Sequence, residues 1–273
     1  MRLISIHDKQ RLAAYLLHDP VMNSLLIGDL DDFFWQSTCW YGLETDAGEL
    51  KHLALLYLGA GAGMPVFLCY DLPGDYTVEF VNLLFEALPT AIYVHLRPEL
   101  VEYLSGRYEF HPHGMHYKMA LQHPQMLDAV DVSRTEALTL SDMPLLEQLY
   151  IHAYPGNFFD PRMLETGFYY GIRDQGKLLT AAGIHVVAEE YHVAVIGNVA
   201  TLPEHRSGGL ARQVCARLCH ELLHCGMNHL SLNVMTDNVS AIRAYQHLGF
   251  EVAGEYGEYV LRLRADGELP AKP

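Results

Sequence analysis

The stretch "ATLPEHRSGGLARQV", Ala200 to Val214, decides the fold. A β-like run leads through Pro203 into a basic turn with two adjacent glycines, and an amphipathic run follows directly. Helix N-termini bind anions because their first N–H groups are unpaired and the helix dipole is positive there. Gly208 and Gly209 would let the backbone approach a ligand closely. The stretch predicts a strand, an anion-binding turn and a helix, with an ordinary glycine-rich helix start as the alternative.

The glycine spacing excludes two common nucleotide-binding motifs. A dinucleotide-binding fold requires G-x-G-x-x-G after a strand and an acid about 20 residues further on, and a P-loop requires G-K-[ST]. Only Gly208 and Gly209 are present, so neither motif fits.

Composition limits the class of protein. The chain of 273 residues is long enough for one large domain or two small ones. Its net charge of −15 argues against a nucleic-acid binder, which normally carries a basic surface. No apolar run approaches the roughly 18 residues of a membrane span, and the N-terminus lacks a secretory pattern. Five irregularly spaced cysteines do not indicate a disulfide framework, so we expect a cytoplasmic protein with no nucleic-acid or membrane partner.

The second half of the chain repeats the order of elements in the first. Apolar periodicity and turn residues predict helices over 21–35 and 209–225, and a polar surface loop in the histidine-rich segment 111–116. At one constant offset, five pairs of apolar or aromatic residues coincide: Tyr103 with Tyr245, Tyr108 with Phe250, Tyr117 with Tyr259, Met119 with Leu261 and Leu121 with Leu263. This predicts two α/β copies, over 1–125 and 130–265. The first copy has "DLPGDY" in place of "HRSGGLA" and should lack the anion-binding turn.

Two ordered motifs resemble a known family. Arg206-Ser-Gly-Gly209-Leu-Ala211 matches the R/Q-x-x-G-x-G/A signature of the GCN5-related N-acetyltransferases, the GNAT superfamily. One helix and one strand later, "DNVSAIRAYQHLGFEVAGE" supplies the second motif, with Asn238, Ala241, Tyr245, Gly249 and Phe250 in the family's order. The resemblance covers about 130–265, and the first half is similar to the degenerate copy of tandem-GNAT proteins. Its "DPVMNSLLIGDL" also resembles the start of glycine-N-acyltransferase-like and FR47-like members. The resemblance implies an α/β (α+β) fold of two tandem GNAT-like mixed-sheet units, the N-terminal one degenerate.

The resemblance also implies roles for particular residues. Backbone N–H groups of the turn would hold the pyrophosphate of acetyl-CoA or another acyl-CoA, and the preceding strand edge would pair with the pantetheine amides. Tyr245 would protonate the leaving CoA thiolate, a transfer that the usual pKa values of a phenol and a thiol allow. The residues implied for cofactor binding are Asn198, Val199, Thr201, Arg206, Ser207, Gly208, Gly209, Leu210, Ala211 and Asn238.

The implied reaction is direct attack of a small-molecule or peptide amine on the thioester. A cationic amine must first lose a proton, and many relatives carry a glutamate for this on the strand before the turn. Val195 stands near that place here, so the base is left open among Glu190, His192 and a water chain held by Asn198 or His185. The absent carboxylate also favours an alternative, a catalytically silent acyl-CoA-binding module. A homodimer and an internal pseudo-dimer both fit the repeat.

A zinc hydrolase is the third reading, because "HELLH" places His220 and His224 one helical turn apart around Glu221. A helical wheel puts the buried stripe on Leu210, Val214, Leu218 and Leu222, nearly opposite His220. The extended motif is also incomplete, since Leu230 takes the place of the third histidine. The sequence therefore predicts no metal site.

Overall fold

The structure is a computed structural model that describes residues 1–59 and 63–264. Its strands are β1 (Arg2–Ser5), β2 (Thr38–Glu44), β3 (Leu50–Tyr57), β4 (Val66–Cys69), β5 (Ala91–Leu96), β6 (Tyr108–Leu121), β7 (Glu136–Ala137), β8 (Tyr170–Asp174), β9 (Lys177–Ala188), β10 (Val193–Thr201), β11 (His229–Met235) and β12 (Phe250–Leu263). Its α-helices are α1 (Lys9–Leu16), α2 (Ser24–Gly28), α3 (Asp32–Trp35), α4 (Thr77–Leu84), α5 (Val101–Ser105), α6 (Met143–Ala153), α7 (Arg162–Glu165), α8 (Leu210–His224) and α9 (Val239–Gln246). No helix within the described ranges is long and apolar enough to span a bilayer.

The described residues form two compact units. Unit 1 consists of Met1–Tyr117 and the segment that starts at Gly254, and unit 2 of Lys118–Ala253. These boundaries differ from the predicted domains 1–125 and 130–265, whose last residue, 265, lies outside the described part. The reason is that β6 and β12 each leave one unit and enter the other within a strand. A boundary inside a strand carries no polar linker that a sequence pattern could reveal.

In unit 1 the strands run in the order β1-β2-β3-β4-β5-β12. β12 pairs antiparallel to β5 from Gly257↔Leu96 to Arg262↔Ala91. Alternate residues of β5 and one face of α4 join a common apolar core that includes Phe80, Leu84, Val94 and Leu96. Side chains that alternate with these core residues leave a second, polar face on β5 and β12.

In unit 2 the strands run in the order β6-β11-β10-β9-β8-β7. The long helix α8 packs on β8, β9 and β10. Its predicted stripe is confirmed, because Val214, Leu218 and Leu222 are fully buried and Leu210 is 8% exposed. Burial of a side chain of this size stabilises the fold by about 1.5–3 kcal/mol, so this stripe fixes α8 on the sheet.

The repeat is confirmed at the two long strands. β6 begins at Tyr108 and ends at Leu121, and β12 begins at Phe250 and ends at Leu263, which are two of the registered pairs. The expected surface loop at 111–116 is wrong, because these residues lie within β6. The expected helix over 21–35 is interrupted, since the side chain of Asp31 accepts a hydrogen bond from Phe33 N–H (2.9 Å) and starts the separate helix α3.

The first copy differs from the second at the start of its equivalent helix. The Thr77 hydroxyl accepts a hydrogen bond from Gly74 N–H (2.8 Å), so the N–H of this turn glycine is already paired within the turn. Glu79 adds a carboxylate to the first turn of α4. β4 also stays paired with β5 along its whole length, to Cys69↔Leu96. No side chain caps α4, but the first turn of this helix is acidic, and unit 1 has no opening between these two strands.

Candidate active site

β10 and β11 separate part of the way along their length. They pair in parallel from Val193↔His229 to Ile196↔Leu232, while β10 continues to Thr201 and β11 to Met235. The edge of β10 beyond Ile196 therefore has unpaired backbone groups. An extended ligand with amide groups can hydrogen-bond to such an edge as an added strand would.

A bulge marks the point where β10 leaves β11. The pairing with β9 shifts between Gly197↔Gly183 and Ala200↔Ala181. Leu202 N–H donates to Leu179 O (2.9 Å), so the backbone groups of Leu202, and of Ala200 two residues earlier, face β9. By the same alternation, those of Val199 and Thr201 face the opening.

Asn198 shapes this bulge from within. It adopts a left-handed conformation (φ 52°) and is only 2% exposed. Its side-chain amide donates to Phe158 O (2.9 Å) and to the Tyr169 hydroxyl oxygen (3.0 Å), and its own carbonyl accepts from the Tyr150 hydroxyl (3.0 Å). Asn198 was expected on the binding edge with Val199 and Thr201. Its side chain and carbonyl instead form hydrogen bonds that stabilise the bulge.

The glycine turn forms an open helix start. Ser207 and Gly209 both have left-handed backbone angles (φ 65° and 78°), and no side chain caps α8. The α8 ladder begins with Gln213 N–H donating to Gly209 O (3.2 Å), so the N–H groups of Leu210 and Ala211 have no partner within the helix. This geometry suits an anion, as the sequence predicted.

Two arginines near the turn have different positions. Arg206 donates from Nε to Thr201 O (3.2 Å) and from Nη2 to Ala153 O (3.1 Å), so it ties the turn to β10 and to the end of α6. Arg212 instead folds over the turn, with Nη2 3.2 Å from the position that a Cβ on Gly209 would occupy. Sequence reasoning missed Arg212. Its spacing of three residues from Gly209, which places it in the first helical turn, was the available signal.

Tyr245 lies on α9, half-buried, with its ring 6.1 Å from that of Phe250. Burial, with smaller contributions from Cys215 and Tyr154, raises the pKa of its hydroxyl well above the usual value. The hydroxyl therefore carries its proton at neutral pH.

Asn238 caps α9. Its Oδ1 accepts hydrogen bonds from Ala241 N–H (3.2 Å) and from the Ser240 hydroxyl (3.1 Å). Only the side-chain nitrogen of Asn238 is left for the cofactor binding that the family resemblance implies.

The base candidates separate by position. Val195 is fully buried. Glu190 and His192 lie at the turn before β10, where His192 Nδ1 is 3.0 Å from Gly226 O. This turn is about 15 Å from the bulge at roughly 3.3 Å per residue, so neither side chain lies at the opening. His185 does lie there, because its imidazole occupies the space in which a Cβ on Gly197 would stand.

The "HELLH" segment does not form a metal-binding face. His220 Nε2 is 4.0 Å from Asp128 Oδ1 and belongs to the outer side of α8, opposite the buried stripe. In the ranges 1–59 and 63–264 no group of three or more His, Cys, Asp or Glu side chains could hold a metal ion.

A polar cluster on β5, β6 and β12 includes His116, the last residue of the histidine-rich segment. Glu258 accepts hydrogen bonds from the hydroxyls of Tyr93 and Tyr256, and its Oε1 lies 3.5 Å from His95 Nε2 and 3.6 Å from His116 Nδ1. Burial raises the pKa of the Glu258 carboxyl, but the two histidines and the two hydroxyls outweigh it and lower the pKa below its usual value. The cluster, which we call the Glu258 cluster, lies wholly in unit 1.

Comparisons with known proteins agree with this geometry. Residues 134–250 match the Acetyltransferase (GNAT) family. The [ribosomal protein bS18]-alanine N-acetyltransferase of Escherichia coli K12 is 31% identical over 122 residues, which cover 43% of this chain and 80% of that protein. A Drosophila protein of known structure superposes with a TM-score of 0.69 at 12% identity, over 97% of this chain and 99% of its own. A tandem GNAT protein from the clavulanic acid biosynthesis pathway gives 0.58 at 13% identity, over 96% and 98%.

The two structural likenesses show the fold alone, which is the tandem arrangement of GNAT-like units in the second of them, and the family model matches only the C-terminal copy of this chain. The matched family segment falls on the copy that carries the open strand edge and the uncapped helix start, and the bacterial acetyltransferase is matched over 80% of its own length. On these grounds the chain belongs to the GNAT acetyltransferase family.

Proposed function

We propose that the chain transfers an acetyl group from acetyl-CoA to an amine. The observation that carries the proposal is the order of two features along one stretch of unit 2, a strand edge without a partner on β11 and an uncapped helix start. The open edge of β10 ends at Thr201, and the uncapped start of α8 follows at Leu210. An arm with amide groups and a pyrophosphate attached to it match these two features in that order.

Recognition of CoA would divide between the strand and the helix. The outward backbone groups of Val199 and the N–H of Thr201, whose carbonyl already accepts from Arg206, would pair with the pantetheine amides. The first N–H groups of α8 and the guanidinium of Arg212 would bind the pyrophosphate, and a charge-assisted bond of this kind is about twice as strong as a neutral one. No metal is needed for this binding.

The chemistry is one direct transfer. A neutral amine attacks the thioester carbonyl, and backbone N–H groups at the bulge stabilise the oxyanion that develops. As the carbon–sulfur bond breaks, Tyr245 gives its hydroxyl proton to the thiolate. The acceptor is a small-molecule or peptide amine, and the net charge of −15 favours cationic ones.

Thiol release from acetyl-CoA tests the proposal. The purified chain is mixed with acetyl-CoA and a panel of amines: spermidine, an aminoglycoside and a peptide that begins with alanine. The peptide is included because the E. coli relative is named for an alanine. We expect release of free CoA that depends on one of these amines. Failure of the chain to bind CoA would overturn the proposal.

The alternative function is a silent acyl-CoA-binding module. It is favoured by Val195, which fills with a buried apolar side chain the place where many relatives carry an acid. Tight CoA binding without thiol release for any amine in the panel would support this alternative.

A further inference from the structure

One sheet face of unit 2 carries a pair of facing glycines. Gly183 on β9 is the direct partner of Gly197 on β10. A Cβ on Gly183 would lie 2.1 Å from the Tyr169 ring, and one on Gly197 would lie 2.0 Å from the His185 ring. Because partners in an antiparallel pair project to the same side of a sheet, both rings lie on this face.

His185 reaches its position through a second bulge. Val195 pairs with Val186 and Ile196 with Ile184, so His185 is the extra residue of β9. A bulge of this kind re-aims a side chain, and here it directs the half-buried imidazole over Gly197, at the residue after the last β10–β11 pair. The centroid of the Phe158 ring lies 6.3 Å from that of the imidazole.

Asn233 lies level with Gly197 on the opposite side of the opening. In the parallel register Val195 pairs with Ser231, so the next residues on that face are Gly197 and Asn233. The Asn233 side-chain oxygen is buried, and no described residue donates a hydrogen bond to it. An unsatisfied buried acceptor destabilises a fold, so its retention at an opening indicates a ligand with an N–H donor.

We propose that His185 and Asn233 form the acceptor subsite, and that the acceptor is a primary amine bound between these two side chains at the opening. This inference rests on the proposed acetyl transfer. Asn233 Oδ1 accepts one N–H of the ammonium, and the His185 imidazole takes a proton from it. The neutral amine then forms the C–N bond as the C–S bond breaks.

The protons balance in this scheme. The ammonium loses one proton to His185, which passes it to solvent. The nitrogen of the adduct loses a second proton, which restores the hydroxyl of Tyr245 after that hydroxyl has protonated the thiolate. The products are the acetamide, CoA with its thiol, and one proton.

A binding experiment tests the subsite without a known acceptor. The chain is isotope-labelled at histidine and saturated with CoA, and L-alaninamide, propylamine and spermidine are titrated in turn. The imidazole signals of His185, assigned by their loss in His185→Gln, should shift and saturate with at least one amine. N-acetyl-alaninamide, which has no free amine, should leave them unchanged. Asn233→Leu should weaken the binding about tenfold, as loss of one hydrogen bond predicts.

Turnover gives the second readout, with the amine that shifts His185. His185→Gln should lower kcat about 100-fold, the lower range for a general base, with unchanged CoA affinity. Added imidazole should restore part of the rate of His185→Ala. His229→Gln, at the far end of β11, is the matched control and should behave as the wild type.

Each failure has a separate meaning. If CoA binds but none of the three amines moves the His185 signals, or if His185→Gln keeps the wild-type kcat, the subsite assignment is wrong and the proposed function stands. If CoA itself fails to bind, the proposed function fails first.

Discussion

At the scale of single residues, the two arginines of the glycine turn carry the same charge but differ in how many N–H groups are available to a ligand. The guanidinium of Arg206 already donates to two carbonyls, so it stabilises the turn and has fewer N–H groups left for a phosphate. No described residue accepts a hydrogen bond from Arg212, and its guanidinium lies at the left-handed Gly209. The signature names the first arginine, but the loop conformation, which sequence alone did not specify, favours the second as the phosphate ligand.

Tyr245 can be tested against its counterpart in the first copy. Tyr245→Phe removes only the hydroxyl proton that we assign to the leaving thiolate. We expect kcat to fall about 100-fold while the Kd for CoA changes less than about twofold, as for loss of a general acid. Steady-state thiol release and calorimetric CoA binding measure the two quantities.

Tyr103→Phe is the matched control for this substitution, because Tyr103 occupies the registered position in unit 1 and packs against its apolar core. It should leave kcat unchanged. A wild-type rate in Tyr245→Phe would show that the thiolate leaves without this proton.

Glu258 makes a pH-dependent contribution to stability. Its folded-state pKa is lowered, so the stabilisation is present above the usual glutamate pKa of about 4.3 and is lost as the pH falls through the lower folded value. At neutral pH we expect Glu258→Gln to unfold more easily by about 1–3 kcal/mol, since buried hydrogen bonds to a charge are lost. The difference should shrink in acid.

Denaturant unfolding of both proteins, from neutral pH to below the usual glutamate pKa, measures the difference in their free energies of unfolding. Glu255→Gln, exposed on the same strand, is the control and should follow the wild type. A Glu258→Gln deficit that stays constant into acid would contradict a role for the charge.

At the scale of elements, the sequence predicted the bounds of those helices and strands that local apolar periodicity determines. β11, at His229–Met235, is the strand expected between the two motifs, and α8 lies within one residue of its predicted range. The strand of 111–116 was missed because histidines and a glycine resemble a turn, while the pairing that makes β6 a strand is distant in sequence. The separation of β10 from β11 depends on how the two strands pair, and the residues of β10 alone do not predict it.

The two adjacent glycines of the turn should respond differently to the same substitution. A Cβ on Gly208 meets only His205 O at 3.5 Å, an ordinary contact. Gly209 has φ 78°, and its Cβ would press on Arg212 at 3.2 Å. A left-handed alanine costs about 1–2 kcal/mol, so Gly209→Ala should weaken CoA binding about 5- to 30-fold.

Gly208→Ala is the control and should bind CoA within about twofold of the wild type. Calorimetry gives the affinities, and circular dichroism checks that both variants fold. Equal affinities for the two variants would remove the phosphate role from this turn.

At the scale of the whole molecule, the resemblance anticipated the tandem fold but not its division. The repeat was visible because aromatic residues coincide at one offset, and the strand bounds of β6 and β12 confirm it. The division into units was not visible, because each of these strands belongs to both units.

The difference between the copies predicts one CoA site per chain. In unit 2, β10 and β11 separate and α8 starts uncapped. In unit 1, β4 stays paired with β5 throughout, the Thr77 hydroxyl engages the turn, and Glu79 would repel a phosphate from the first turn of α4. Titration calorimetry should give a stoichiometry of one CoA per chain, and Gly209→Ala should weaken that single event. Glu79→Gln, which removes the carboxylate while the Thr77 contact remains, should not create a second event. Two binding events in the wild type, one of them insensitive to Gly209→Ala, would contradict this prediction. They would show that the β4–β5 pairing and the Gly74–Thr77 hydrogen bond do not prevent CoA binding in the first copy.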